Sequence, residues 1–160
     1  MGIKTFFHEL KTKVSPSRLF KATITDAHDI LPKACPDAIK SLEVVEGGSL
    51  VSGHTVKTIF AGPHMKHAKT KFEHIDPVNY TCKNTWYEGD GLGDKVEKIS
   101  YDIKFEASDD GGCVVKMKSD YHTKGDYDLT DDEINDFKEQ VFGLYKTCEV
   151  YLIDNPHACT

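Results

Sequence analysis

The stretch from Thr130 to Asp154 reads as one unbroken helix, and any fold open to this chain has to be built around it. Thr130 followed by Glu133 makes a capping box, and Asp131 and Asp132 place negative charge at the positive end of the helix dipole. Ile134, Phe137, Val141, Leu144, Cys148, Tyr151 and Leu152 recur at three- and four-residue spacings, which paints one helical face. Pro156 ends the pattern. At about 1.5 Å per residue the segment spans roughly 37 Å, longer than an ordinary strand. A sheet that packs on it must curve, and a curved sheet has a concave side to fill.

Most of the remaining chain alternates with a period of two. Residues 3–13 predict a strand with Phe6, His8 and Leu10 on one phase and Phe7, Glu9 and Lys11 on the other. Ser15-Pro16 opens a short helix, and Asp26 is placed to cap a second one that Pro32 and Pro36 stop. Residues 39–46 and 54–60 are β-rich, and Gly62-Pro63 turns the chain into a strand near 65–75. Cys82, Asn84 and Trp86 then alternate with Lys83, Thr85 and Tyr87. Ile99, Tyr101, Ile103 and Phe105 do the same, and Cys113, Val115, Met117, Ser119 and Tyr121 follow a turn at Asp109-Asp110-Gly111-Gly112. The sum is α+β: an antiparallel sheet, two short helices and the long one, in a single domain over residues 1–160.

Composition narrows the function classes. A net charge of −6 opposes non-specific nucleic-acid binding, which needs a basic surface. With 39% apolar and 29% charged residues, the chain holds no apolar run near the roughly 18 residues that read as a membrane span. Cys35, Cys82, Cys113, Cys148 and Cys159 are odd in number and form no C-x-x-C pair, so structural zinc is not expected. His8 and Glu9 interrupt what a signal peptide would keep apolar, which predicts a cytoplasmic protein with reduced thiols. Met1-Gly2 opens a myristoylation motif, but Phe6 stands where Ser or Thr is required.

The inward phases carry polar groups: His8, Asn84, Tyr101, Ser119 and Tyr121. Buried polar groups cost free energy unless they are paired, so these either satisfy one another or face an internal cavity.

Several stretches carry a resemblance. Gly89-Asp90-Gly91-Leu92, Glu97, Ser100, Asp110-Gly111-Gly112-Cys113, Lys116 and Tyr121 resemble in spacing the signature of the plant pathogenesis-related class ten proteins, the major birch-pollen-allergen family. Arg18-Leu19-Phe20-Lys21, Leu31-Pro32-Lys33, Tyr121-His122-Thr123-Lys124-Gly125-Asp126 and Glu149-x-Tyr151-Leu152 extend it end to end. The resemblance implies a seven-stranded antiparallel sheet wrapped around the long helix and a cavity for hydrophobic small molecules such as hormones, flavonoids or alkaloid-like compounds. It also implies a plant defence setting, no cofactor and a monomer.

Set on that fold, the expected ligand-binding residues are Phe6, His8, Leu31, His67, Cys82, Asn84, Trp86, Ile99, Tyr101, Ile103, Met117, Tyr121, Phe137, Val141 and Leu144, with Gln140 and Lys138 near an opening. The loop holding Gly47, Gly48, Gly53 and His54 is longer than the family's Gly-rich loop and poorer in glycine, and in the family it borders a cavity entrance. An alternative makes the cavity an active site, a cyclase or isomerase with His8, His67 and Tyr101 as acid/base groups. Lys98, Lys104, Lys116 and Lys118 fall on the outward phase, which removes the inward amine that a norcoclaurine-synthase-like condensation would use. A second alternative carries over the family's reported ribonuclease positions as Lys57, Glu97, Glu149 and Tyr151, although all four types are ordinary on a surface.

Two further motifs resolve to plainer readings. Gly48-x4-Gly53-His54-Thr55 has His where a phosphate-binding loop needs Lys, and a strand follows it. His64-x-x-His67 would put its two rings on opposite faces of a strand, a poor arrangement for one metal ion.

Overall fold

A computed structural model describes residues 2–63 and 65–160. Met1 of the Met1-Gly2 pair and His64 of the His64-x-x-His67 pair lie outside the described residues. Seven antiparallel strands form one sheet: β1 (Gly2–Thr12), β2 (Ile39–Val44), β3 (Thr55–Phe60), β4 (His67–Asp76), β5 (Thr81–Gly89), β6 (Val96–Ala107) and β7 (Cys113–Thr123). Their order across the sheet is β1-β7-β6-β5-β4-β3-β2.

The alternation read from the sequence sets the inner face, and the register aligns it into rungs. One rung runs Lys4–Tyr121–Ile99–Trp86–Thr70, the next Phe6–Ser119–Tyr101–Asn84–Phe72, and the next His8–Met117–Ile103–Cys82–Ile75. Side chains on successive rungs point the same way because β1, β5, β6 and β7 advance two residues per rung, while β4 takes three from Phe72 to Ile75 across a bulge.

Helix α3 (Asp131–Asp154) lies across this face. Its capping box forms: the Glu133 N–H donates to Thr130 Oγ1 at 3.2 Å and the Thr130 N–H donates to Glu133 Oε1 at 3.1 Å. The buried positions of α3 are Ile134, Phe142, Tyr145, Cys148 and Leu152, while Phe137, Val141, Leu144 and Tyr151 are half-buried. Phe142 and Tyr145 are thus the core-facing residues that the simple spacing passed over. The helix rests on two different surfaces, so its apolar stripe is wider than one line of positions.

The two short helices depart from expectation. A π-helical turn at Lys21–Thr25 joins α1 (Pro16–Phe20) almost continuously to α2 (Ala27–Ala34), with the Asp26 N–H donating to the Lys21 carbonyl at 2.7 Å. The Asp26 side chain caps nothing. Pro32 lies inside α2, which runs two residues further and closes with the Cys35 N–H on the Leu31 carbonyl at 2.8 Å. Near a helix end a missing N–H and a local clash cost less than in mid-helix. Among the described residues, no helix is long and apolar enough to cross a membrane.

Candidate functional site

Aromatic rings divide the concave face in two. From Trp86 a chain of ring contacts passes to Phe137 at 6.1 Å, Tyr121 at 5.8 Å, Phe6 at 6.2 Å, His8 at 6.2 Å, Phe142 at 6.3 Å and Tyr145 at 6.4 Å. It continues through Phe105 to Phe20. Helix α3 supplies Phe137, Phe142 and Tyr145, and these rings fill the space over β1, β7 and the adjoining half of β6. Edge-to-face and tilted geometries dominate, as the ring quadrupoles favour.

The other half, over β2 to β5, stays open as a cavity of about 440 Å³. That volume falls in the range of small-molecule pockets, about 300 to 1,000 Å³. The sheet lines it with Leu42, Thr58, Ala68, Thr70, Trp86 and Tyr101. Leu31 comes from α2, and Val141 and Leu144 come from α3. Asp37, Ala38, Gly62, Pro63 and Gln140 also line it and are exposed, so they form its mouth. The mouth therefore lies between the end of α2, the β3–β4 hairpin and α3. Gly91 sits where a Cβ would come within 2.7 Å of the Trp86 ring and 2.5 Å of Met65 Sδ, so a larger residue there would push on the indole.

Among the described residues, four buried polar atoms on this face lack a hydrogen-bond partner: His8 Nε2, Tyr101 OH, Ser119 Oγ and Tyr121 OH. The Ser119 hydroxyl is near enough to Tyr121 to counter in part the upward push of burial on that phenol, without meeting hydrogen-bond geometry. Of the four, only Tyr101 lines the cavity. Burial, reinforced by Tyr121 and Tyr145, pushes its phenol far above the ordinary range. At neutral pH Tyr101 is therefore a protonated phenol, a hydrogen-bonding group and not a base. Asn84 donates to Cys82 Sγ at 3.6 Å, and burial pushes the Cys82 thiol up to about 12.

Of the fifteen residues expected to hold a ligand, Leu31, Trp86, Tyr101, Val141 and Leu144 line the cavity, as does Gln140. Phe6, His8, Tyr121 and Phe137 belong to the ring chain, while Cys82, Asn84, Ile99, Ile103 and Met117 are buried in the sheet. Burial lowers the His8 imidazole below its ordinary value, with Lys138 adding to the shift. His67 differs from expectation. Ala68 and Thr70 hold the inward phase of β4, so the His67 ring turns outward to Glu88, with Nε2 and Oε2 3.4 Å apart. A bulge pairs Lys69 with Glu88 and Thr70 with Trp86, which brings Glu88 to the outer face. The unforeseen lining residues of the sheet, Ile39, Leu42, Thr58, Phe60, Ala68 and Thr70, come from β2–β4, where alternation is interrupted by short strands and bulges, and Met65 comes from the β3–β4 hairpin.

The glycine loop also lies elsewhere than expected. Gly47, Gly48 and Gly53 take φ of 80°, 71° and 92°, and the Gly53 N–H donates to the Phe72 carbonyl at 2.7 Å. Glu46 accepts the Thr55 N–H, and His54 Nδ1 lies 3.1 Å from the Ser49 carbonyl. These bonds tie the loop to β3 and β4, and none of its residues lines the cavity.

Lys57, Glu97, Glu149 and Tyr151 do not converge. Glu149 accepts the Lys13 N–H at 2.6 Å, just beyond the Thr12 end of β1, which pairs with Cys113. Glu97 sits at the opposite end of the β6–β7 ladder, beside Val96, which pairs with Thr123. Ten residues of ladder separate those ends by roughly 30 Å. Lys57 is three strands away from Glu97, on β3.

Comparison with known proteins places this geometry. Residues 1–155 match the model of the pathogenesis-related protein Bet v 1 family. The pathogenesis-related protein STH-2 of Solanum tuberosum is 43% identical over 156 residues, which cover 98% of this chain and 97% of that protein. The solved structure of Ara h 8.0201 superposes with a TM-score of 0.84 at 35% identity, covering 96% of this chain and 99% of that one. Norcoclaurine synthase from Thalictrum flavum, solved with dopamine and hydroxybenzaldehyde, shares the fold at a TM-score of 0.70 and 19% identity, over 96% of this chain and 88% of that one.

Proposed function

This chain belongs to the pathogenesis-related protein Bet v 1 family, and from that membership we propose that it binds and carries an apolar, aromatic small molecule in the cavity between sheet and long helix. It does so as a cytoplasmic monomer without a cofactor. The observation that carries this reading is the cavity itself: about 440 Å³, walled by Leu31, Leu42, Ala68, Trp86, Val141 and Leu144, with one unpartnered buried phenol, Tyr101. Such a lining favours a flat apolar body that stacks against the indole and a single polar atom that pairs with the phenol.

Turnover has less support. Of His8, His67 and Tyr101, only Tyr101 reaches the cavity, and its phenol stays protonated at neutral pH. No lysine is among the described lining residues, so an amine-dependent condensation lacks its nucleophile.

The experiment is native mass spectrometry of the protein purified from its own tissue, followed by incubation of the released molecule with fresh protein. A molecule recovered unchanged at one per chain fits carriage. A molecule converted to a product makes the cavity an active site and overturns the reading.

A further inference from the structure

Cys35 closes α2, and Cys148 sits on the buried face of α3. Both are buried, at 3% and 0% exposure. The Cys35 thiol lies 3.8 Å from the carbonyl of Leu144, which is one helical turn before Cys148 on α3. In the helix the Leu144 carbonyl faces Cys148 one turn on, so the Cys35 sulfur lies against the turn of α3 that carries Cys148. Each thiol shifts the other: Cys148 draws Cys35 below its ordinary value, and Cys35, with burial, raises Cys148. Cys82 and Cys113 contrast with this pair, since burial pushes them up to about 12 and about 11 with no second thiol to share a proton.

We propose that Cys35 and Cys148 are a peroxide-oxidisable pair whose disulfide ties the end of α2 to α3 beside the cavity mouth. A peroxide is close to water in size, and the cavity wall is its nearest approach: Leu31 and Leu144, which line it, each stand one helical turn before Cys35 and Cys148. The Cys35 thiolate attacks the peroxide O–O bond. That forms a sulfenic acid, and the departing hydroxide takes up a proton to leave as water. The Cys148 sulfur then attacks the Cys35 sulfur, the S–OH bond breaks, and a second water carries away the hydroxyl and the Cys148 proton. Two thiols and one peroxide become one disulfide and two waters.

The consequence for the cavity rests on the reading that it holds a ligand. Asp37 and Ala38, at the mouth, follow directly on Cys35, and Val141 and Leu144 precede Cys148 on α3. A bond between the two elements restrains the opening that lets a ligand pass.

The test treats the folded, reduced protein with hydrogen peroxide and measures intact mass, a non-reducing peptide map, and the release rate of anilinonaphthalene sulfonate. The expected result is a loss of about 2 Da that a dithiol reverses, a Cys35–Cys148 cross-linked peptide, and dye release slowed about tenfold. Cys35→Ser and Cys148→Ser each abolish the mass loss. Oxygen addition without a cross-link, or a cross-link to Cys159, overturns the pair. A Cys35–Cys148 cross-link with unchanged dye release overturns the gate. Failure of the reduced protein to take up dye counts against the cavity reading alone, because the mass measurement does not depend on it.

Discussion

The indole of Trp86 meets the ring of Phe137 edge-on, with centroids 6.1 Å apart, and that contact marks where the packed half of the concave face ends and the cavity begins. Phe137 continues into the ring chain over β1 and β7, while Trp86 lines open space. The two sides of this boundary respond differently to truncation.

Phe142 is buried among rings, whereas Leu144 borders the cavity. Phe142→Ala is expected to cost about 3–5 kcal/mol and Leu144→Ala about 1 kcal/mol, because Leu144 already has empty volume beside it. Urea unfolding of both variants checks this. Equal losses would mean that the division between packed and open halves is wrong.

His8 has a pH signature. Its folded value lies below the ordinary 6.5, so the unfolded chain takes up a proton first as pH falls. Stability contributed by the neutral ring is present above pH 6.5 and is lost as pH falls through the folded value. His8→Phe keeps a ring against Phe6 and Phe142 and removes the proton site. Unfolding midpoints measured between about pH 7 and 5 should then fall less steeply in the variant than in the parent. Identical slopes would place the titration elsewhere.

Glu133 titrates in a lower window. Its carboxylate accepts from Tyr127 and from Thr130, and these bonds draw it down to about 2. The stabilising contribution is complete above the ordinary 4.5 and is lost as pH falls toward 2. Glu133→Gln should flatten the acid limb of a thermal-melting profile in that interval. An unchanged acid limb would show that the cap carries no pH dependence.

Any RNA-cleaving activity of a preparation should survive Glu97→Gln combined with Glu149→Gln, since the two carboxylates lie at opposite ends of the β6–β7 ladder. A release assay on fluorescent RNA checks it. Loss of activity that co-purifies with the folded variant would contradict the separation.

The inner faces of β5, β6 and β7 were legible in the sequence because these strands keep one face buried, and burial on one side leaves a clean period of two, whereas the half-buried β1 offered Phe6 and Phe7 on opposite phases. The capping box of α3 was legible because it needs only Thr130 and Glu133 at fixed spacing. His67 was not legible. A bulge beside it shifts β5 against β4, and nothing in a run of side chains marks where a ladder slips. The ring chain was hidden for a different reason: Phe142 meets His8 of β1 and Tyr145 meets Phe105 of β6, both far away along the chain, and periodicity carries no such information. The approach of Cys35 to the Leu144 carbonyl is equally non-local.

The most direct test of the cavity is a titration with anilinonaphthalene sulfonate, followed through the emission of Trp86, the one tryptophan of the chain. Two proteins are compared: the parent and Val141→Phe, which adds a ring to the cavity wall. The account predicts saturable quenching at one dye per chain in the parent and affinity about tenfold weaker in Val141→Phe, roughly 1.4 kcal/mol. Equal affinity in both proteins, or dye uptake without any change in Trp86 emission, would mean that the apolar site lies outside this cavity.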